Sequence, residues 1–191
     1  GFPVMIKASA GGGGKGMRIA YKADEVKEGF LRSKSEAASS FGDDRIFIEK
    51  FIVDPRHIEI QVLGDKHGNV IYLGERECSI QRRNQKVVER APAPYLSQEL
   101  RDELCGYALK LAKDTAYVGA GTVEFLQDAD SGKFYFIEVN PRIQVEHTVT
   151  ELVTGVDIVR QQIAAAAREP LEYAQDEIGI RGHAIECRIN A

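Results

Sequence analysis

Residues 134–147 read Phe134-Tyr-Phe-Ile-Glu-Val-Asn-Pro-Arg-Ile-Gln-Val-Glu-His147, an apolar strand pattern that continues into a run of reactive side chains. The polar residues occupy every second position, at Glu138, Asn140, Arg142, Gln144 and Glu146. Alternate residues of an extended chain point to the same face, so these five side chains would lie together wherever the backbone stays extended. Pro141 lacks a ladder donor, so we expect the stretch to split at this residue. Two acids, two amides and an arginine suit a site for a metal-bound anion; the competing interpretation is a solvated strand face.

A hairpin is predicted to bring a second strand alongside this stretch. Residues 121–127 and 133–139 both have strand patterns, and the segment between them is rich in turn-forming residues. If Asp130-Ser131-Gly132 is a three-residue loop with glycine in the left-handed conformation, Ala129 pairs with Lys133. That pair sets the register of the whole hairpin, and a slip of one residue would turn every side chain to the other face.

In this register Glu124 lies directly opposite Glu138 on the same face of the hairpin. Like charges directly opposite each other destabilise a strand pair unless a cation lies between them. With Asn140 beside the two carboxylates, the available ligands are all oxygen atoms, which favours Mg²⁺ or Mn²⁺ over zinc. The sequence therefore predicts a site for one of these cations at Glu124, Glu138 and Asn140.

A glycine-rich segment, Gly11-Gly-Gly-Gly-Lys-Gly16, lies between two strand patterns at residues 3–9 and 17–21. It matches G-x-G-x-x-G, but no helix follows, which argues against a dinucleotide fingerprint and against a Walker A loop. The pattern predicts a hairpin flap whose backbone amides cover phosphates, with Lys7 and Lys15 adding positive charge. A disordered hairpin tip is the alternative.

The remaining segments alternate between helix and strand patterns. Asp24 is predicted to cap a helix that ends at Phe41-Gly42, and Ser97 is predicted to cap a second, amphipathic helix. A third helical stretch at residues 149–169 is expected to be interrupted near Gly155. Further strands are predicted at residues 45–52, 57–63, 70–73 and 182–190.

The net charge of −4 and the 43% hydrophobic content are those of an ordinary soluble domain. One basic segment, residues 76–90, admits three interpretations: a solvated face, a nucleic-acid patch or the rim of an anion pocket. No aromatic residue interleaves it and the chain is acidic overall, so no nucleic-acid partner is expected. No window approaches the roughly 20 apolar residues of a membrane helix, so no membrane partner is expected either.

The three cysteines, Cys78, Cys105 and Cys187, are widely spaced and form no C-x-x-C pair. A disulfide framework or a zinc site is therefore not expected, and a reducing compartment fits best. The chain opens Gly-Phe-Pro-Val, without an initiator Met or a basic signal-peptide region. We expect a piece of a longer protein that resides in the cytoplasm, or in the mitochondrial matrix if the source is eukaryotic.

Six segments, spread in order over essentially the whole chain, resemble the ATP-grasp core of biotin carboxylase. They are residues 8–18, 48–52, 55–61, 75–86, 136–147 and 182–190, of which 75–86 and 136–147 are the most specific. The resemblance implies an α+β ATP-grasp fold, built from a glycine-flap subdomain and an antiparallel sheet with helices. The expected division is a small lid subdomain at residues 1–54 and a large subdomain, truncated at its C-terminus, at residues 55–191.

The resemblance assigns nucleotide-binding roles to residues at matching positions. Phosphate contacts are implied for Lys7, Gly11, Gly12, Gly13, Gly14 and Gly16, an adenine-binding hinge for Glu49, Lys50 and Ile52, and further nucleotide contacts for His57, Gln81, Asn84 and Leu126. Leu126 would lie beneath the adenine ring and His57 near the ribose. Asn84 stands where some members of the family have histidine, which leaves its polar contact open.

The resemblance also assigns the chemical roles. Glu124, Glu138 and Asn140 would hold Mg²⁺ or Mn²⁺, in agreement with the register argument. Bicarbonate contacts are implied for Lys86, Arg142, Gln144 and Val145. Glu146 would be the base that deprotonates bicarbonate for attack on the γ-phosphate of ATP, and Arg188 would stabilise the enolate of biotin.

Biotin is expected as a substrate carried on a separate carrier domain, with a carboxyltransferase as a further partner in an oligomeric parent enzyme. Because the family has an N-terminal domain with a further ATP-binding lysine, and more chain after the last strand, we expect these 191 residues alone to be nearly inactive. Two other functions remain open: another ATP-grasp ligase, such as carbamoyl-phosphate synthetase, and a non-catalytic nucleotide-binding module. Biotin dependence separates the first from a biotin carboxylase, and intact Glu146, Arg142 and Arg188 argue against the second.

Overall fold

The computed structural model describes residues 1–11 and 15–189, and the chain forms two compact units. Unit 1 comprises Gly1–Asp54 with Arg82–Gln85, and unit 2 comprises Pro55–Gln81 with Lys86–Ala191. Their assignment as lid and large subdomains remains a prediction. Mixed helices and antiparallel sheets make the fold α+β, as expected from the sequence.

Unit 1 is a three-stranded antiparallel sheet with one long helix. Its elements are β1 (Val4–Ala8), β2 (Met17–Ala20), α1 (Ala23–Phe41) and β3 (Ile46–Lys50), and the strand order is β2-β1-β3. The predicted cap at Asp24 is wrong: Lys22 is the N-cap, without a side-chain hydrogen bond, and Asp24 lies in the first turn of α1. There its negative charge still complements the helix dipole. Gly42 ends α1 in the left-handed conformation, as predicted.

Unit 2 is built on a six-stranded sheet with the order β8-β7-β4-β5-β6-β9. Its strands are β4 (Arg56–Gly64), β5 (Val70–Arg82), β6 (Gln85–Ala91), β7 (Gly119–Gln127), β8 (Phe134–Asn140) and β9 (Ala184–Cys187), and its helices are α2 (Gln98–Asp114), α3 (His147–Thr154) and α4 (Ile158–Ala166). Ser97 caps α2 by accepting a hydrogen bond from the amide of Leu100, and Gly155 ends α3, both as predicted. The strand predicted at residues 70–73 is far longer, and the one predicted at residues 182–190 is shorter.

Strand β4 is buried on both of its faces, and this burial prepares the candidate site. Its apolar residues Ile58, Ile60 and Val62 pack into one core cluster with α2. The alternate residues Glu59 and Gln61 are also fully buried, on the opposite face. Buried carboxylates and amides require partners, so this face must carry a network of polar contacts.

The hairpin of β7 and β8 places Glu124 opposite Glu138, as predicted, but by a different route. The three-residue loop is wrong: the loop is one residue longer, because the amide of Asp128 donates to the carbonyl of Lys133 at 2.9 Å. A register shift next to Glu124 then inserts Ile137 as an extra residue in β8. This bulge cancels the longer loop and restores the predicted pair.

Candidate active site

Three carboxylates from three elements converge on the ammonium group of Lys86. The Nζ atom donates to Glu59 on β4, to Glu124 Oε1 on β7 at 3.1 Å, and to Glu146 Oε1 at 2.6 Å. The side chain of Lys86 is 14% exposed, and the three glutamates are almost completely buried. Lys86 is thus a nearly buried ammonium group in contact with three buried carboxyl groups.

The cluster shifts the pKa values of its members in opposite directions. Burial raises the pKa of the Glu124 carboxyl, but hydrogen bonding from His57 and the charge of Lys86 outweigh burial and hold it well below its usual value. The pKa of the Glu146 carboxyl is also lowered. Burial raises this pKa, but the charge and the hydrogen bond of Lys86 outweigh burial. Burial lowers the pKa of Lys86, and the charges of Glu59, Glu124 and Glu146 more than reverse this. At neutral pH the carboxylates of Glu124 and Glu146 are therefore ionised, and Lys86 is protonated.

The three predicted metal ligands lie together. Asn140 Nδ2 donates to Glu124 Oε1 at 2.7 Å and to Glu138 Oε1 at 3.3 Å, so one polar group lies within reach of both carboxylates. Turning the amide would present Oδ1 instead, and the donor set would then consist of oxygen atoms alone. Mg²⁺ prefers such ligands, so these residues fit the ion.

A second set of ligand atoms surrounds the same carboxylate. His57, Glu59 and Glu124 each offer one atom, and these atoms lie within 4.8 Å of one another. His57 Nε2 contacts Glu124 Oε2 at 2.8 Å, and Gln81 Nε2 contacts His57 Nδ1 at 2.9 Å. Leu126 is the cross-strand neighbour of His57 on β7. Three of the predicted nucleotide-binding residues, His57, Gln81 and Leu126, are therefore adjacent to the predicted metal ligands.

The five even-numbered residues of the opening stretch do not share one strand face, because the strand ends before Pro141, as expected. Strand β8 ends at Asn140, because the proline that follows has no amide hydrogen for the ladder. Beyond it, Arg142 is exposed and its Nη2 donates to Asn140 Oδ1 at 3.3 Å. Gln144 turns inward and donates from Nε2 to Glu124 Oε1 at 2.9 Å. Val145 is exposed on the other side of this turn.

Glu146 lies between two cations. It is the N-cap residue of α3, and its Oε2 accepts a hydrogen bond from Arg188 Nη2 at 2.8 Å, while its Oε1 accepts from Lys86. The same Nη2 lies 2.5 Å from Glu89 Oε1, and Glu89 is buried on β6. This arrangement holds an ionised base beside two groups that can stabilise a second anion.

In unit 1, Lys7 and Glu49 form an ion pair, with Nζ 3.0 Å from Oε1. Lys50 ends β3 and is exposed, and Ile52 is buried. Asn84 adopts a left-handed φ of 62° in the turn between β5 and β6.

The flap is described at its two ends. Gly12, Gly13 and Gly14 lie outside the described residues. At Gly16 glycine is required, because φ is +70° and an added Cβ would lie 2.8 Å from the β-carbon of Ala8. At Gly11 an added Cβ would lie 3.0 Å from the carbonyl oxygen of Ala8, which also disfavours a side chain.

Several side chains of this polar cluster were not singled out from the sequence. Glu59 and Glu89 gave no signal beyond an alternating strand pattern. Arg76 was grouped with the basic segment, and the solvated-face and nucleic-acid interpretations are wrong for it, because it is fully buried. Buried acids between apolar neighbours on β4 were the one available hint.

No helix among the described residues is long and apolar enough to cross a membrane.

Comparison with known proteins gives one family model and many close relatives. The model described as carbamoyl-phosphate synthase L chain, ATP binding domain, matches residues 1–174. The chain is 64% identical over its whole length to a propionyl-CoA carboxylase alpha chain of Ruegeria pomeroyi, of which it covers 28%. It is 61% identical to the mitochondrial propionyl-CoA carboxylase alpha chain of Mus musculus, covering 26%, and 58% identical to a biotin carboxylase of Nostoc sp., covering 42%. The chain thus spans less than half the length of these relatives.

The chain is also similar to solved structures of biotin carboxylases. The biotin carboxylase domain of 2-oxoglutarate carboxylase from Hydrogenobacter thermophilus, determined with MgADP, ADP and bicarbonate, has a TM-score of 0.96 at 54% identity. This match covers 100% of the chain and 42% of that protein. A biotin carboxylase from Campylobacter jejuni in complex with β-γ-ATP has a TM-score of 0.95 at 49% identity, covering 98% of the chain and 42% of that protein.

Proposed function

The chain belongs to the family described as carbamoyl-phosphate synthase L chain, ATP binding domain, and from this premise we propose that it supplies the ATP- and bicarbonate-binding core of a biotin carboxylase. Its α+β fold is the ATP-grasp fold of biotin carboxylase domains. The reaction is the ATP-dependent carboxylation of biotin through carboxyphosphate.

The first half-reaction activates bicarbonate. Lys86, Arg142, Gln144 and the backbone at Val145 hold the anion, and Glu146 accepts its proton. A bicarbonate oxygen then attacks the γ-phosphorus of ATP, the bond to the bridging oxygen breaks, and ADP leaves with that electron pair. Mg²⁺ held by the carboxylate pair, or Mn²⁺ in its place, supplies Lewis acidity at the phosphate oxygens when bound.

The second half-reaction transfers the carboxyl group. Carboxyphosphate divides into CO₂ and phosphate, and the phosphate removes the proton from the ureido nitrogen of biotin. That nitrogen attacks CO₂, while Arg188 stabilises the negative charge that develops on the ureido oxygen. A guanidinium suits this role because it remains cationic at every working pH.

The observation that carries this proposal is the position of Glu146 between Lys86 and Arg188. The lowered pKa of Glu146 keeps it in the form that can accept a proton. When bicarbonate shares the charge of Lys86, Glu146 loses part of that stabilisation and becomes a stronger base. A non-catalytic nucleotide-binding module would not need this arrangement.

The nucleotide-binding assignments are part of the proposal. Within unit 1 they comprise Lys7, Gly11, Gly12, Gly13, Gly14, Gly16, Glu49, Lys50, Ile52 and Asn84, and within unit 2 they comprise His57, Gln81 and Leu126. Their support is the overall identity of the chain, 54% and 49%, to two structures determined with nucleotide. The relatives' names are those of carboxylases, which favours biotin carboxylation over the carbamoyl-phosphate synthetase alternative.

We also propose the partners. The propionyl-CoA carboxylase and pyruvate carboxylase relatives support a carrier domain bearing biotin, and a carboxyltransferase that delivers the carboxyl group to the final acceptor, in an oligomeric enzyme. Free, mostly buried cysteines support a reducing compartment, the cytoplasm or the mitochondrial matrix.

The test is ATP cleavage by a full-length carboxylase that carries this sequence. Cleavage should require bicarbonate and be stimulated by biotin, and Glu146→Gln should abolish it while leaving MgATP binding intact. Glu103→Gln, on the exposed face of α2, is the matched control and should remain active. Normal turnover by Glu146→Gln would overturn the assignment of the base.

A further inference from the structure

Arg76 on β5 is fully buried, and all five N–H donors of its guanidinium have acceptors. Nε donates to Glu59 Oε2 (2.9 Å), Nη1 to Gln61 Oε1 (2.7 Å) and Thr150 Oγ1 (3.3 Å), and Nη2 to Thr122 Oγ1 (3.0 Å) and Gln144 Oε1 (3.1 Å). One side chain thus joins β4, β7, α3 and the turn after β8. None of the assigned roles includes this residue.

Two of the five acceptors continue into the candidate active site. Arg76 holds Gln144 by its carbonyl oxygen, so the amide must present Nε2 to Glu124, 2.9 Å away. In the same way Arg76 holds one oxygen of Glu59, and the other oxygen accepts a hydrogen bond from Lys86. Because an amide has one oxygen, a donor at this position determines which end of Gln144 faces the site.

We propose that Arg76 is the positioning residue of the bicarbonate pocket, which turns the N–H₂ group of Gln144 and, through Glu59, the ammonium group of Lys86 toward the bound anion. This inference rests on the proposed function. Without Arg76, only the hydrogen bond to Glu124 holds the Gln144 amide in this orientation, and a reversed amide would present its carbonyl oxygen, which repels bicarbonate.

The competing explanation is a purely structural role. Three of the five acceptors, Gln61, Thr122 and Thr150, are buried side chains with no assigned role in the site. The two explanations differ in what a lysine at position 76 would do. Lysine keeps the positive charge beside Glu59, but its three donors radiate from one atom and cannot hold Glu59 and Gln144 at once. A structural role predicts loss of stability alone, whereas a positioning role predicts a defect specific to bicarbonate.

The experiment compares KM values in a full-length carboxylase carrying this sequence, with Arg76→Lys against the parent. The KM for bicarbonate should rise about tenfold, the size expected for the loss of one charge-assisted hydrogen bond, while the KM for MgATP stays within about twofold. Thr150→Val is the matched control: it removes an acceptor of Nη1, which contacts neither Glu59 nor Gln144, and it should lower the Tm with both KM values unchanged.

A double-mutant cycle tests the route through Gln144. Gln144→Ala should raise the KM for bicarbonate in the parent but add little in the Arg76→Lys background, since both changes remove the same interaction. Full additivity, or a lower Tm with unchanged KM values in Arg76→Lys, would overturn the positioning role.

The outcomes also separate this inference from the proposed function. If the parent enzyme itself shows no bicarbonate-dependent ATP cleavage, the function fails and not only the role of Arg76. If Arg76→Lys does not fold, Thr122→Val replaces it, because Thr122 shares Nη2 with Gln144. Thr122→Val should raise the KM for bicarbonate, whereas Thr150→Val should not. Equal KM values for bicarbonate in these two variants would overturn the proposal.

Discussion

Replacing Lys86 with glutamine should destabilise the metal-free protein by about 3 kcal/mol, because three carboxylates then lose their shared cation. Removal of one partner from a buried ion pair costs about 3–5 kcal/mol. The lower end applies here, since the side chain of Lys86 is 14% exposed and water can screen part of the charge. For a chain of this size, about 3 kcal/mol corresponds to a fall in Tm of roughly 6–12 °C.

The assay is thermal unfolding followed by circular dichroism, first in EDTA and then with increasing MgCl₂. In Lys86→Gln a divalent cation can replace the missing ammonium charge beside Glu124, so Mg²⁺ should raise the Tm of the variant more than that of the parent. At a free concentration 100 times the Kd, the gain is about 2.7 kcal/mol. Lys110→Gln, which loses an exposed ion pair with Asp114, should change stability by less than about 1 kcal/mol.

The sign of the pH dependence follows from the lowered pKa values of Glu124 and Glu146. Groups with a depressed folded-state pKa contribute stability above their unfolded pKa, about 4.3 for glutamate, and lose it as the pH falls. The Tm difference between the parent and Lys86→Gln should therefore shrink as the pH falls below this value. Equal Tm values in EDTA at pH 7, or equal gains with Mg²⁺, would refute the account of the cluster.

Three further predictions concern other parts of the chain. The exposed Cys187 should react with a thiol reagent at pH 8 in the folded protein, whereas the two buried thiols should react only after denaturation, because burial raises the pKa of Cys105 to about 12. Reaction of three thiol equivalents per folded chain would contradict this. Gly16→Ala should cost about 1–2 kcal/mol in urea unfolding, since φ is +70° and Cβ would meet Ala8, whereas Gly106→Ala in α2 should not destabilise. The 191 residues alone should bind nucleotide weakly and cleave little ATP, because they cover 26–42% of their relatives; robust biotin-stimulated cleavage by them would disprove this.

The sequence predicted that Glu124 pairs with Glu138 across β7 and β8, although two errors cancelled. The loop length was wrong by one residue, and the extra residue at Ile137 compensated for it. Loop length depends on side-chain hydrogen bonds such as those that Asp128 accepts from the amides of Asp130 and Ser131, which a residue pattern does not specify. The pairing of Glu124 with Glu138 is nevertheless the feature from which the metal site was predicted.

The polar interior could not be predicted in the same way. Arg76 is one of five cations between residues 76 and 90, and only the three-dimensional structure shows that it alone serves five buried acceptors. Glu59 looked like the solvated half of an alternating strand, but the face it lies on is covered. Periodicity reports which residues share a face, and it does not report whether a second layer buries that face.

The most direct test of the central claim follows the oxygen atoms of bicarbonate. A full-length carboxylase carrying this sequence is supplied with MgATP, biotin and [¹⁸O]bicarbonate, and the phosphate released is analysed by mass spectrometry. Attack of bicarbonate on the γ-phosphorus, aided by Glu146, predicts one ¹⁸O atom in each phosphate formed. Phosphate that contains no oxygen from bicarbonate would contradict the assignment of this site to bicarbonate activation.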